Sequence, residues 1–294
     1  MSTIAFHFAS GGAFFTGVGC LLIGMLAIVR GTRRWSLLGG RVLFVLGLFA
    51  VGMSATPLPV WVYTLWLASL VVWAGSRYRP LALTGHWTAL PMSFCIGCTL
   101  GATVWELSYR WPPSVLPGHW DKLIVIGDSI SAADFSEGSE PWPQLLARDH
   151  GVQVENLAFS GAKAMSAANH IASKDLSDSL VLLEIGGNDL LGETSMNDFE
   201  RDLDQLLALV SRSDNAVTML ELPLPPLYNG YGAVQRRIAA KYHIRLIPKR
   251  YFASVFADPG NRFDGIHLSA TGQRKMSEMI WSIISPSVSQ SDSP

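Results

Sequence analysis

The stretch KLIVIGDSIS, residues 122–131, decides the fold. After Lys122 its next five residues are apolar, β-branched in part and unbroken by polar alternation, which is the pattern of a strand covered on both faces. Gly127 then permits a tight strand-to-helix turn, and Asp128 and Ser129 stand where a helix would begin. Four more runs of the same kind follow: VQVENLA (152–158), SLVLLEIG (179–186), AVTMLEL (216–222) and HIRLIP (243–248). Helical periodicity falls between and after them, at 142–150, 164–172, 197–211, 232–242 and 269–284. Strands alternating with helices predict a three-layer α/β/α domain over 121–285, with a parallel sheet of about five strands. Such sheets hold ligands at the carboxyl ends of their strands.

Upstream of this domain the chain changes character. Only 15% of the 294 residues are charged, against roughly 25% for an average soluble protein, and the mean hydropathy is +0.28. The deficit lies before residue 119, where the charged side chains are seven arginines (30, 33, 34, 41, 77, 79 and 110) and Glu106, a net of +6. The remainder has 15 basic and 22 acidic residues, a net of −7. No basic face of the kind that binds nucleic acid is present.

The first 107 residues read as about four membrane-spanning helices, at 10–29, 42–58, 59–75 and 87–105. The first run has no basic residue before it, which favours an uncleaved helix over a signal peptide. The turn SATPLP (54–59) predicts a tight hairpin between the second and third helices. The fourth run contains Gly, Cys, Ser, Thr and Pro91, and its span rests on the bracketing Trp87 and Trp105. Arg30, Arg33, Arg34 and Arg41 then lie in one loop, with Arg77 and Arg79 in another. The positive-inside rule puts both in the cytoplasm and, with four spans, everything after Trp105 outside an inner (cytoplasmic) membrane. The Pro- and aromatic-rich 108–120 reads as a stiff linker, and 286–294 as a flexible tail. Cys95 and Cys98 form a C-x-x-C that reads as two small residues on a membrane helix.

Four short motifs in the second half carry chemistry. Ser129 follows the first strand, where its hydroxyl would be exposed; a serine needs a neighbouring base to become a nucleophile. In FDGIHLS, His267 follows Asp264 by three residues, so that one loop can supply a general base and the carboxylate that orients it. Asn188, after LEIGG, offers an amide to a developing oxyanion, and Gly161, in NLAFSGAKA, a backbone N–H. Each motif has a plainer alternative: Gly-Asp-Ser as a helix cap, Asp264-Gly265 as a turn, and Asp189 as a cap. The other histidines (7, 86, 119, 150, 170 and 243) lack an acid at comparable spacing. LPLPPLYNGYG (222–232) is apolar and proline-stiffened, and Leu227 and Tyr228 within it are expected to border an acyl-binding pocket.

These four blocks resemble the SGNH, or GDSL, hydrolase family, and within it the lysophospholipase/thioesterase-like branch. The resemblance covers about 121–285 and departs from the common "DGIHP" at Leu268. It implies a flavodoxin-like fold and a carboxylic ester hydrolase with Ser129, His267 and Asp264 as catalytic triad. Ser129 N–H, Gly161 N–H and the Asn188 amide would form the oxyanion hole, with no metal or organic cofactor. With the membrane half, the expectation is a membrane-anchored esterase or deacylase acting on acyl esters, O-acetyl or fatty-acyl, of envelope glycans or lipids. An acyltransferase using the same acyl-enzyme, and a catalytically silent envelope-assembly subunit, are the alternatives.

Overall fold

The computed structural model describes residues 1–78, 90–112, 120–132, 140–192, 194–212 and 215–291. The membrane-type half comprises α1 (Thr3–Ala9), α2 (Gly12–Arg30), α3 (Arg34–Met53), α4 (Val60–Tyr78) and α5 (Leu90–Leu107). Three of these, α2, α3 and α5, are long and apolar enough to cross a membrane, and α4 carries a shorter apolar stretch at Val60–Ser76.

The bounds of α3 correct the sequence reading. The helix starts at Arg34 rather than 42 and ends at Met53, so Arg41 is helical and not in a loop. A helix satisfies its backbone internally and can continue past its apolar stretch while arginines reach outward; residues 34–36 and Arg41 are all exposed. The tight hairpin is also corrected. α3 packs along α2, and α4 along α5, while Phe44 and Trp73 form an aromatic contact between α3 and α4 (centroids 5.3 Å apart). Glycine decides the first pairing. A Cβ on Gly24 would stand 2.8 Å from the Gly40 carbonyl oxygen, and one on Gly47 2.8 Å from that of Gly17. The two backbones therefore touch directly, the close approach that small residues permit between apolar helices. In the second pair, Trp66 Nε1 donates to Thr99 Oγ1 (2.8 Å). Cys95 and Cys98 are free thiols on α5, and Cys95 is buried in the bundle. Arg79, His86 and Trp87 fall outside the described residues, as do His119 and most of the 108–120 linker.

The second half is an α/β domain. Its strands are β1 (Lys122–Gly127), β2 (Val154–Asn156), β3 (Ser179–Glu184), β4 (Ala216–Leu220) and β5 (Arg245–Ile247). All are parallel, in the order β2-β1-β3-β4-β5. The helices are α6 (Ser129–Ala132), α7 (Trp142–His150), α8 (Ala164–Ile171), α9 (Gly187–Leu191), α10 (Met196–Val210), α11 (Asn229–Lys241), α12 (Lys249–Val255) and α13 (Ala270–Ser291). The continuous apolar reading of β1 has its cause in two cores. Ile124 and Ile126 face α8, α10 and α11, while Leu123 and Val125 face α7, α12 and α13. The final helix runs to Ser291, so the tail expected from 286 is helical in its larger part. Pro286 removes one backbone donor without ending the helix.

The two halves are joined by a buried ion cluster. Glu106, at the end of α5, accepts from Arg236 Nη1 (2.6 Å) and Nη2 (3.1 Å) and from Lys249 Nζ (3.1 Å). Glu221, just past β4, accepts from Arg236 Nε (2.7 Å) and Lys249 Nζ (3.2 Å). All four residues are at most 5% exposed. The guanidinium also lies 3.7 Å from the centre of the Tyr109 ring. Burial alone would raise the Glu221 pKa, but Lys249 and Arg236 outweigh it and hold the carboxyl below its usual range. The 54–59 turn docks at the same place: Asn229 Nδ2 donates to Ser54 O (2.9 Å), and Ala55 is packed into the core of the α/β domain.

Two charges of each sign make the cluster neutral. Removing one leaves an uncompensated buried charge, which costs about 3–5 kcal/mol. Glu106→Gln is therefore expected to lower the thermal midpoint of the whole chain and to make the junction after α5 cleavable in limited proteolysis; an unchanged midpoint would refute the latch.

Candidate active site

The strand order places a topological switch between β1 and β3, because the chain leaves β1 toward β2 on one side and returns to β3 on the other. Ser129 opens α6 directly after β1, and Asn188 lies on α9 after β3. Gly127 at the end of β1 is required by space: a Cβ there would meet Ser131 Oγ at 2.7 Å and Glu184 Oε2 at 3.0 Å.

A cavity of about 350 Å³ opens at this point. Ser129 and Asn188 line one part of it, with Gly265 and Ile266 from between Asp264 and His267. The remaining wall is mostly apolar, including Leu190, Leu191, Leu222, Phe252 and Phe256. Its size is at the lower end of the roughly 300–1,000 Å³ typical of small-molecule pockets. Two further wall residues, Met1 and Ala9, come from the membrane half. Their sequence surroundings carry no motif, so only the packing of α1 beside α12 reveals them.

The 264–267 loop is tightly tied. Asp264 Oδ1 accepts from the backbone N–H of Ile266 and of His267 (both 2.7 Å), and Asp264 Oδ2 lies 2.7 Å from His267 Nδ1. Phe263 N–H donates to His267 O (2.9 Å), and Arg262 pairs with Leu268 in an antiparallel bridge. The hydrogen bond to the His267 ring, followed by the two backbone donors, holds the Asp264 carboxyl well below the usual carboxylate range. Burial pushes the carboxyl of Asp128, the neighbour of Ser129, above its ordinary range.

Asn188 Nδ2 donates to Asp128 Oδ2 (3.1 Å) and to Ala162 O (3.2 Å), which fixes the amide plane. Gly161 is not among the cavity-lining residues but occupies the neighbouring turn, closed by Ala162 N–H to Phe159 O (3.2 Å). Its φ of +77° is the third-position geometry of a type II turn, where glycine is favoured. Asp189 is a cap, but of α8 rather than its own helix: its Oδ2 accepts from Ala164 N–H (3.0 Å). That bond ties the Gly161 turn to the Asn188 helix.

Leu227 and Tyr228, expected at the acyl pocket, lie outside its lining. The segment contributes through Leu222, Pro223 and Pro225 instead. At Leu227 the backbone turns into the left-handed region (φ +72°) and carries the chain away into α11, leaving its side chain 78% exposed, and the Tyr228 ring lies against Tyr231 (centroids 6.3 Å apart).

Beneath Ser129 lies a part of the site that the motifs did not announce. Glu184, the last residue of β3, is fully enclosed, and its Oε2 accepts from Asp128 N–H (3.2 Å) and Ser131 Oγ (3.0 Å). Desolvation, and then the neighbouring Asp128, push the Glu184 carboxyl well above its ordinary range. Asp128 in turn accepts from Ile130 N–H (3.0 Å) and the Asn188 amide. Buried Gln273 at the start of α13 adds a second tie, donating to Ile130 O (3.1 Å) and accepting from Trp142 N–H (2.8 Å). The available sequence signal for Glu184 was an acid closing an otherwise apolar strand. Gln273 carried none.

The second half of the chain is similar to known proteins. The model of the GDSL-like Lipase/Acylhydrolase family matches residues 125–275. Esterase TesA of Pseudomonas aeruginosa is 28% identical over 177 residues, 56% of this chain and 88% of that protein. Thioesterase 1/protease 1/lysophospholipase L1 of Escherichia coli (strain K12) is 27% identical over 163 residues, 52% of this chain and 78% of that protein. Among solved structures, the psychrotrophic esterase EstA from Pseudoalteromonas sp. shares the fold, with a TM-score of 0.51 at 18% identity over 56% of this chain and 97% of its own. The chain belongs to the GDSL-like Lipase/Acylhydrolase family, and it is a carboxylic ester hydrolase.

The raised Glu184 pKa has a consequence for stability against pH. Its folded pKa is raised, so its contribution to stability is complete below the unfolded value, near 4.5, and is lost as pH rises toward the folded one. Glu184→Gln keeps an acceptor and a donor but cannot ionise. In denaturant titrations the variant is expected to gain on the wild type as pH rises from 4.5, with little difference below it. A gap independent of pH would refute the upward shift of the Glu184 carboxyl.

Proposed function

We propose that the chain is a membrane-anchored serine esterase or deacylase acting outside the cytoplasmic membrane, on fatty-acyl or O-acetyl esters of envelope lipids or glycans. The observation that carries it is the apolar cavity with Ser129 and Asn188 in its wall together with Met1 and Ala9 of the N-terminal half. An apolar wall of that kind suits the acyl chain of an ester more than a sugar. Its shared construction favours a substrate presented at the membrane surface.

In this reading Ser129 Oγ attacks the ester carbonyl while His267 Nε2 takes its proton. Asp264, ionised and held on Nδ1, stabilises the imidazolium that results. The negative charge that develops on the carbonyl oxygen is received by the N–H groups of Ser129 and Gly161 and by the Asn188 amide, which must share a hydrogen now donated to Asp128 or Ala162. Collapse expels the alcohol with the proton from His267. Water, activated by the same imidazole, then releases the acyl group and restores Ser129.

The place where helix ends meet the α/β domain supports this side of the membrane. A Cβ on Gly11, before α2, would lie 3.1 Å from Lys249 Cε, 3.3 Å from Ala55 O and 3.6 Å from Glu106 Oε1. The start of α2, the turn between α3 and α4, and the end of α5 therefore converge on one point. That convergence supports an even number of crossings, with Arg30, Arg33 and Arg34 at the far end, and the positive-inside rule makes the far end cytoplasmic.

Two measurements test this. A fluorophosphonate is expected to add a single mass to the intact protein, mapped to Ser129 and absent from Ser129→Ala; Asp264→Asn should lower kcat by about 10²–10⁴ with a small change in KM. Equal labelling of Ser129→Ala would overturn the nucleophile. A C-terminal reporter active only outside the cytoplasm is expected to be active, and a cytoplasmic signal would remove one crossing.

A further inference from the structure

A second cavity, of about 740 Å³, lies on the opposite side of the α1–α12 wall from the ester site. Phe252, Ala253 and Phe256 face the ester site, whereas Arg250, Tyr251 and Ser254 face the second cavity. α1 is divided the same way, with Ala9 on one side and Phe6 and His7 on the other. The remaining walls come from the first turn of α2, the last turn of α5 and Arg110 and Trp111 beyond it.

The cavity collects donors and positive charge without a counter-ion. Arg110 and Arg250 both line it, and no Asp or Glu does among the described residues. Arg250 spends its Nε on Arg110 O (2.7 Å) and its Nη2 on the Tyr251 hydroxyl (2.8 Å), leaving its charge unpaired among the described residues. Arg110 Nη1 is buried and has no hydrogen-bond partner among the described residues, while the guanidinium sits 5.1 Å from the Phe15 ring centre. The acid one turn earlier, Glu106, is already engaged by Arg236 and Lys249. Burial, and then the positive Arg250, pull the Arg110 pKa down, which is the direction expected where two cations share a site lacking its anion. A buried guanidinium N–H without an acceptor is costly, and two forked donors side by side match the oxygens of a phosphate.

Position selects the source of that phosphate. The floor of the cavity is formed by the ends of apolar helices, Phe15 on α2 and Leu107 on α5, and Trp111 stands 61% exposed beside them. If the helices cross a membrane, this is the depth at which headgroup phosphates and interfacial tryptophans lie. We infer that Arg110 and Arg250 form a binding site for a phosphate-bearing anion, and that its occupant is the headgroup of an anionic phospholipid whose chains lie along α2 and α5. The site is separate from the ester cavity and shares only its wall; the inference rests on the membrane reading above.

The test uses the full chain in non-ionic detergent with Ser129→Ala, so that no ester is turned over. Dihexanoyl phosphatidylglycerol, dihexanoylglycerol and inorganic phosphate are titrated separately, with tryptophan fluorescence and the thermal midpoint as readouts. Saturable binding of the phosphatidylglycerol, with none of the dihexanoylglycerol, is expected. Arg110→Gln should weaken it about ten-fold or more. Ser254→Leu, which fills the cavity without touching either guanidinium, should weaken it as well and serves if Arg110→Gln fails to fold. Inorganic phosphate binding as tightly as the lipid would retain the anion site and overturn the lipid as occupant. No binding of either phosphate compound, or affinity unchanged in both variants, would overturn the site itself.

Discussion

Glu106 is the lone acid in a half of the chain otherwise charged only by arginines, and the relation between the halves depends on it. It reaches Arg236 and Lys249 across a junction that is closed to water, and Glu221 balances them from the other side. Coulomb attraction at such depth is strong, and so is the cost of leaving any member alone. The cluster therefore demands one alignment of α5 against α11 and α12. Everything that follows from contact between the halves depends on that alignment: the seating of the 54–59 turn, the placement of α1 beside α12, and the wall between the two cavities.

Within the α/β domain, one topological event builds the ester site. The sheet reverses direction of growth at β1, so the ends of β1 and β3 open beside each other and Ser129 and Asn188 face one cavity. A buried polar layer then sets their geometry. Glu184 and Gln273 hold the α6 segment from below and from α13, and Asp128 connects that segment to the Asn188 amide. The Asp264–His267 pair is built differently, from one short loop whose backbone N–H groups saturate the carboxylate.

Residue spacing alone carried much of this. The largely apolar runs at 122–127 and 179–184 suit strands covered on both faces, and the motifs at their ends located Ser129 and Asn188; the three-residue separation of Asp264 and His267 announced a local pair. Other features were illegible for physical reasons. Helix continuation from Arg34 to Arg41 depends on backbone bonds that hydropathy does not see. The pairing of α2 with α3 depends on glycines that register as gaps in an apolar run rather than as contacts. Leu227 and Tyr228 have the composition of a pocket wall, but a left-handed turn at Leu227 takes them out of it.

The sequence by itself determined the α/β class, the family to which the second half belongs, the apolar character of the first half and the residue types that can perform ester chemistry. These are local properties, set by periodicity and by side chains within a few positions of one another. Tertiary structure alone decided that Met1 and Ala9 share a cavity with Ser129, that Glu106 meets Arg236, and that Arg110 and Arg250 line one cavity with no Asp or Glu among its described lining residues. Each of those pairs is separated by more than a hundred residues, and only the burial of charge and apolar surface at the junction brings them together.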